Sequence, residues 1–266
     1  MNPLTARVLL IEDDSSIRRF VSMALESLPL RLIEASTLAE AREQLVPGDI
    51  ALLIVDLMLP DGNGLDFLAE LRSHAFGKAP PRAIVFSAGV TASMRESAAA
   101  LGVWCVLDKP VALSRLLSAV RDALASEQPL RAQGEPVRPS ASPHDAPASR
   151  NDLTPAHSAE TGKRREAAIQ EHFAGQSALF HAFLETALAQ FPRDIASVDA
   201  AFEREDLAAL RREAHNLKSV LRLIGEEAMS VQAEHVEQAA ASASAEAGAL
   251  RMAWVPLRAG LESLDL

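Results

Sequence analysis

The chain has 266 residues, enough for about two domains, with 48% hydrophobic residues, 4% aromatic residues and a formal net charge of −10. So few aromatics exclude a base-stacking surface for single-stranded nucleic acid. The charge excludes a DNA footprint, because residues 1–125 carry 12 basic and 15 acidic side chains and residues 163–266 carry 11 and 16. Cys105 is the one cysteine, which rules out an internal disulfide and fits a reducing compartment. The first apolar run, VLLI at 8–11, stops at Glu12-Asp13-Asp14, too short for a signal peptide. No run reaches the roughly 18 apolar residues of a membrane span. The expectation is a soluble cytoplasmic protein without membrane insertion and without a nucleic-acid partner.

In chain order, short apolar runs alternate with helix-period segments through residue 125. The runs are RVLLIE (7–12), RLIEA (31–35), IALLIVD (50–56), RAIVFS (82–87) and WCVLD (104–108). The helical patterns lie near 16–28, 37–45, 64–73, 92–100 and 113–125. Five strands alternating with five helices predict an α/β doubly wound, five-stranded parallel sheet. The third and fourth runs are continuously apolar, as strands covered on both faces should be.

Residues 126–160 hold six of the fifteen prolines and almost no large apolar side chains. Such a segment cannot bury enough surface to offset chain entropy and is predicted to be a flexible linker. About 35 such residues span on the order of 30 Å r.m.s., so the two halves can meet at effective concentrations in the millimolar range.

From 161 the pattern is all-helical, with segments at 163–173, 177–203, 206–224, 227–242 and 245–264. Gly175 and Gly225 punctuate them and Asp206 is placed as an N-cap. A C-terminal four-helix bundle with a short leading helix is the expected packing. Pro192 and Pro256 fall inside helical patterns, where a kink or break is expected.

In an open parallel sheet, ligands gather beyond the carboxyl ends of the strands. There the topology collects Glu12, Asp13, Asp14, Asp56, Ser87, Asp108 and Lys109. Crowded carboxylates repel one another unless a cation joins them, and oxygen donors of this kind suit Mg²⁺. Asp61 and Asn63, in PDGNG, are taken as turn formers.

The motifs LLIEDD, LLIVDLMLPDGNGL, VFSAG and LDKP, in this order over about residues 5–125, closely resemble the receiver domains of two-component response regulators. The resemblance implies a flavodoxin-like fold with Asp56 as phosphoacceptor. It implies Mg²⁺ held by Glu12, Asp13, Asp56 and the backbone carbonyl of Met58, with Asp14 just outside that shell. Ser87 and Lys109 would contact the phosphoryl group, and the Lys109–Pro110 bond would be cis. Where the family commonly has an aromatic switch residue this chain has Val106, which fits a domain that passes a phosphoryl group on.

The stretch REAHNLKSVLRLIG (212–225) carries the second signal. Leu207, Leu210, Ala214, Leu217, Leu221 and Ile224 form an apolar seam. His215 lies one residue past it, on what is expected to be the wet face, with Arg211, Lys218, Ser219 and Arg222 alongside. An exposed imidazole is a competent nucleophile near neutral pH, and the cations would offset a phosphoryl group of about −1.5 to −2 charges. The pattern AHNLKS followed by LIG resembles histidine-phosphotransfer domains over about residues 163–266. It implies that His215 is phosphorylated, that Lys218 supports the phosphoryl group and that Ser219 replaces the usual glycine. His144 and His157 fall in the linker, and His74, His172, His181 and His235 are expected at the surface or bundle edge.

An Asp and a His acceptor in one polypeptide are two stations of a phosphorelay. No glycine-rich nucleotide loop appears, so the chain is not expected to be a kinase. It should receive phosphate from a sensor histidine kinase and exchange it with other response-regulator receiver domains. The rival reading is a phosphorylation-gated adaptor or inhibitor that binds a kinase or receiver without turnover.

Overall fold

Alternating apolar runs and amphipathic segments fold into β/α units in the computed structural model, which describes residues 5–73, 80–125, 156–242 and 247–264. The parallel strands are β1 (Ala6–Ile11), β2 (Leu30–Ala35), β3 (Ile50–Val55), β6 (Arg82–Ser87) and β7 (Cys105–Asp108). Between them, β4 (Met58–Leu59) and β5 (Gly62–Asn63) form a minute antiparallel hairpin. The sheet order is β2-β1-β3-β6-β7, so the chain reverses direction across the sheet next to β1, and a crevice opens beyond β1 and β3. Helices α1 (Ser15–Leu25), α2 (Leu38–Leu45), α3 (Gly64–Ser73), α4 (Ala92–Ala100) and α5 (Leu113–Ala125) cover its faces. The predicted doubly wound sheet is therefore present.

Local chemistry sets the helix starts. Asp14 caps α1 by accepting from the Ile17 amide at 2.8 Å. Asp61 does more than form a turn, since its two carboxylate oxygens accept from the Leu38 and Ala39 amides, 2.9 Å each, at the start of α2. Gly64 is required by proximity, because a Cβ there would lie 2.1 Å from the Asp56 carbonyl oxygen.

The second half consists of α6 (Ala156–His172), α7 (Ser177–Glu203), α8 (Leu207–Leu223), α9 (Glu227–Ala241) and α10 (Ala247–Glu262). Asp206 caps α8 through the Ala209 amide at 2.9 Å. Gly225, at φ +83°, ends it where a Cβ would meet the Arg164 carbonyl oxygen at 2.8 Å. Three expectations need correction. Helix α6 begins inside the predicted linker, at Ala156, directly after a proline suited to a first helical turn. Helices α7 and α10 run unbroken through Pro192 and Pro256, because packing along each helix outweighs one lost backbone bond. Leu207 is 39% exposed and contributes little to the seam, whereas Leu210, Ala214, Leu217, Leu221 and Ile224 are buried. His74 and the linker residues 126–155, His144 among them, lie outside the described residues.

The two halves share one apolar core. Phe20 of α1 is fully buried, with ring centroids 5.5 Å from Phe173 and 5.8 Å from Phe183, both edge-on. Phe180 continues the cluster at 5.3 Å from Phe173. Each such ring buries roughly 150–250 Å², and edge-to-face pairs add about 0.5–1.5 kcal/mol beyond area. Two carboxyls of the bundle lie within electrostatic reach of Asp14 at the start of α1. Burial, then Asp14 and Glu213, pushes Asp194 up to about 7. Burial pushes Glu213 up to about 7 as well, with Asp13 and Asp14 adding to it and Arg212 opposing it.

Two outcomes follow for stability. Phe20→Ala leaves a cavity between the halves and lowers the unfolding free energy by about 3–5 kcal/mol, read from denaturant midpoints. The folded state holds the Asp194 and Glu213 protons more tightly than the unfolded chain, so their contribution is complete below about pH 4 and is lost as pH rises through about 7. Asp194→Asn should therefore raise the thermal midpoint at pH 8 and leave it little changed at pH 4.

Candidate functional site

Each strand of the sheet ends by delivering one side chain to the same edge. Leaving β1, the chain places Glu12 and Asp13; leaving β3, Asp56; at the ends of β6 and β7 stand Ser87 and Lys109. Hydrophobic strands fix these positions: Leu9, Leu10, Ile11, Ile54 and Val55 are all fully buried. Glu12, Asp13 and Asp56 offer carboxylate oxygens within 4.8 Å of one another.

One cation answers them from within the receiver half. Lys109 Nζ lies 2.5 Å from Glu12 Oε2 and 2.8 Å from Asp56 Oδ2, with both partners fully buried. It also sits 5.1 Å from the centre of the Phe86 ring. Burial would lower the lysine pKa, but Asp56 and Glu12 outweigh it and hold the ammonium charged. Burial raises Asp56, and Lys109, His215 and hydrogen bonds from Lys109 and Ser87 pull it below the usual carboxylate range. Asp56 Oδ1 additionally accepts from the Leu57 amide at 2.5 Å. The opposite balance holds at its neighbours. Burial raises Glu12 well above its ordinary value and Asp13 to about 6, with the Asp56 charge adding to both.

These residues fit a divalent cation. Neither Glu12 oxygen finds a well-directed hydrogen bond among the described residues, despite the ion pair with Lys109. Within the receiver half, two buried carboxylates and the part-buried Asp13 face one lysine, which leaves excess negative charge, and hard oxygen donors match Mg²⁺. Asp14 is occupied as the α1 cap, and Met58 opens the β4–β5 hairpin two residues beyond Asp56. The Lys109–Pro110 bond is cis. Val106 is half-buried against the sheet's second core.

His215 departs from expectation. Its side chain is 2% exposed, so the wet face predicted for it is instead covered. The flanking residues Asn216, Lys218 and Ser219 are buried too, because one side of α8 packs in the bundle and the other meets the receiver half. Lys218 Nζ comes up against Gly89, just past β6. Asn216 Nδ2 donates to Asp13 Oδ1 at 3.3 Å, and Arg212 Nε lies 3.2 Å from Asp13 Oδ2. His215 and Asp56, 159 positions apart in sequence, are within electrostatic reach of each other.

The predicted cationic fringe also needs correction. Arg211 is exposed and Arg222 pairs with Glu227 at 3.1 Å. Lys218 pairs with Glu237 at 2.5 Å, and the same carboxylate lies 2.7 Å from His215 Nδ1. Burial raises Glu237, but His215 and Lys218 bring it down to about 2, so it stays ionised. The Ser219 hydroxyl donates to the His215 carbonyl at 3.3 Å. His215 Nε2 is buried without a partner among the described residues. With Nδ1 held by a carboxylate, Nε2 is the nitrogen that carries the free lone pair. Glu237, Arg212 and Asn216 were missed from the sequence; Arg212 stands three residues before His215, on its face, and gave the one local signal. Of the remaining histidines, His181 and His235 are exposed as expected, while His172 is 6% exposed and buried in the bundle.

Comparison with known proteins agrees with this geometry. The model described as the response regulator receiver domain matches residues 8–121, and that described as the Hpt domain matches residues 182–265. Over 117 residues the chain is 38% identical to the KDP operon transcriptional regulatory protein KdpE of Escherichia coli (strain K12), covering 44% of this chain and 50% of that protein. It is 32% identical over 124 residues to the DNA-binding transcriptional regulator NtrC of Azospirillum brasilense, covering 47% of this chain and 25% of that protein. The chain thus spans half or less of the length of these curated relatives. The non-phosphorylated HemR receiver domain from Leptospira biflexa is 27% identical, with a TM-score of 0.44 over 48% of this chain and 100% of that one. Family models thus match two separate stretches of the one chain, the response regulator receiver domain in its first half and the Hpt domain in its second.

Proposed function

We propose that this chain is a two-component phosphorelay protein in which Asp56 accepts a phosphoryl group and exchanges it with His215 of the same chain. The observation that carries this reading is the burial of an unpartnered imidazole nitrogen, His215 Nε2, against the edge that holds Asp56. Neither domain is a kinase module, so the phosphoryl group comes from outside, from a sensor histidine kinase. Other receiver domains are the partners that exchange it with His215.

The residues divide the work. Glu12, Asp13, Asp56 and the Met58 carbonyl would hold Mg²⁺, which would supply positive charge to the phosphoryl oxygens. Lys109 is held charged beside Asp56 and offsets the dianion, and the Ser87 hydroxyl supplies a hydrogen bond. For transfer, the Nε2 lone pair forms the bond to phosphorus while the bond from phosphorus to the Asp56 oxygen breaks, and the carboxylate leaves with the electron pair. The Nδ1 proton stays on the ring, hydrogen-bonded to Glu237, which offsets the positive charge that the ring gains. Lys218 lies beside the same carboxylate and faces the transferred group. The reverse step uses the same contacts. The adaptor reading is not favoured, because a binding face without turnover has no need of a nucleophilic nitrogen presented to an aspartate.

With a small-molecule phosphodonor and Mg²⁺, the wild-type chain should label on both residues. Asp56→Asn should abolish both labels, and His215→Gln should abolish only the base-stable histidyl label and leave the base-labile aspartyl label. Labelling of His215 that persists in Asp56→Asn would overturn the direct Asp-to-His route. Mixing Asp56→Asn with His215→Gln chains should restore histidyl labelling only with a concentration dependence that the wild-type chain lacks. Glu237→Gln keeps an acceptor for Nδ1 but removes its charge. A charge-assisted hydrogen bond is worth about 1.5–3 kcal/mol, so transfer should slow about ten- to hundredfold in rapid-quench measurements, with Asp56 labelling unchanged.

A further inference from the structure

The bundle brings more than a histidine to the receiver's acidic edge. Arg212 lies nearly one turn before His215 on α8, with its side chain 21% exposed, and its Nε reaches Asp13 Oδ2 at 3.2 Å. Asn216, on the other side of His215, donates to Asp13 Oδ1 at 3.3 Å. Both oxygens of one carboxylate are therefore held by the other half of the protein. That carboxylate is one of the three that converge with Glu12 and Asp56. Against those three carboxyl groups the receiver half sets one buried cation, Lys109. Arg212 is a second cation, and it is present only while the bundle is docked.

We propose that bundle docking and divalent-cation binding compete for Asp13, with Arg212 and Asn216 as the pair by which the bundle reads the receiver. The proposal rests on the reading of Glu12, Asp13 and Asp56 as a magnesium site. A cation at this cluster draws on the same lone pairs and repels the guanidinium. Linkage is reciprocal, so docking weakens cation binding by the factor by which the cation weakens docking. A phosphoryl group on Asp56 adds about −1.5 to −2 charges and gives both cations a partner, so the competition is strongest before phosphorylation. The device orders the relay: a metal-loaded, unphosphorylated receiver releases the bundle and exposes Asp56 to its donor, and phosphorylation lets the bundle return with His215.

The test uses the full-length chain and Mn²⁺ alone as a spin probe, with free ion counted by electron paramagnetic resonance. Arg212→Gln should bind Mn²⁺ about fivefold or more tighter than the wild type, in line with ordinary allosteric couplings, and Asn216→Ala should shift the same way by less. Independently, spin labels on Glu96→Cys and Met252→Cys in a Cys105→Ser background should move apart when saturating Mg²⁺ is added. Equal Mn²⁺ affinity in wild type and both variants, or label distances indifferent to Mg²⁺, overturns the competition and leaves the magnesium site standing. No Mn²⁺ binding by any of the chains overturns the magnesium site and the competition together.

Discussion

Negative charge crowded into a dry edge is the constraint on which the rest of the molecule turns. Parallel strands with fully buried side chains carry Glu12, Asp13 and Asp56 to the same place, and the apolar cores that fix the strands also remove water from around the carboxylates. At the low effective dielectric of such a site, charges interact several-fold more strongly than in water. The groups that touch this edge are responses to that condition. Lys109 is held between two carboxylates, Asp14 turns away to cap a helix, and Arg212 arrives from 199 residues downstream of Asp13. Any further anion brought to this edge, such as the phosphoryl group of the proposed function, would depend on these cations being in place.

The bundle solves the complementary problem. A face bearing Lys218 and an imidazole would be attracted to the acidic edge, but burying an ammonium and a polar ring there without internal partners would be costly. Glu237 changes the balance by taking both His215 Nδ1 and Lys218 Nζ. The face then docks with its charge largely satisfied, and its directional polar contacts, Arg212 and Asn216 to Asp13, set the register. Phe20 and the cluster of Phe173, Phe180 and Phe183 add apolar burial between the halves. Polar contacts decide how the halves meet, and aromatic burial decides how firmly.

Local signals made most of the fold legible. The five strands and the long helices follow from period and punctuation, and Asp56, Glu12, Asp13, Ser87 and Lys109 follow from their position at strand ends. What escaped depends on surfaces meeting across long sequence separations. His215 was placed on a wet face because α8 shows one apolar seam; its second buried side is polar, since it meets another domain's acidic edge, and no hydrophobic pattern marks such a side. Glu237 sits on the next helix, 22 residues after His215, where helical spacing within α8 says nothing. Pro192 was expected to break α7, yet Phe183, Leu184, Ala187, Phe191, Ile195 and Val198 are buried on both sides of it. That packing favours a continuous helix strongly enough to absorb the missing hydrogen bond.

The shared core sets a problem that the interface chemistry answers. A continuous apolar cluster from β1 to α10 would lock the halves together, and a locked pair could neither meet a kinase nor pass phosphate to another receiver. Opposing that burial, the same interface gathers Asp13, Asp14, Asp194 and Glu213 with few cations among them, and two of these carboxyls ionise only near pH 7. Their repulsion grows as they ionise and subtracts from what the phenylalanines contribute. The closed arrangement therefore weakens as pH rises through about 7. On the proposed function, a phosphoryl group gained or lost at Asp56 would change the charge at this same interface. The proposed relay needs such opposition, with contact tight enough to bring Nε2 to a phosphoryl group on Asp56 and weak enough to be undone when that group moves on.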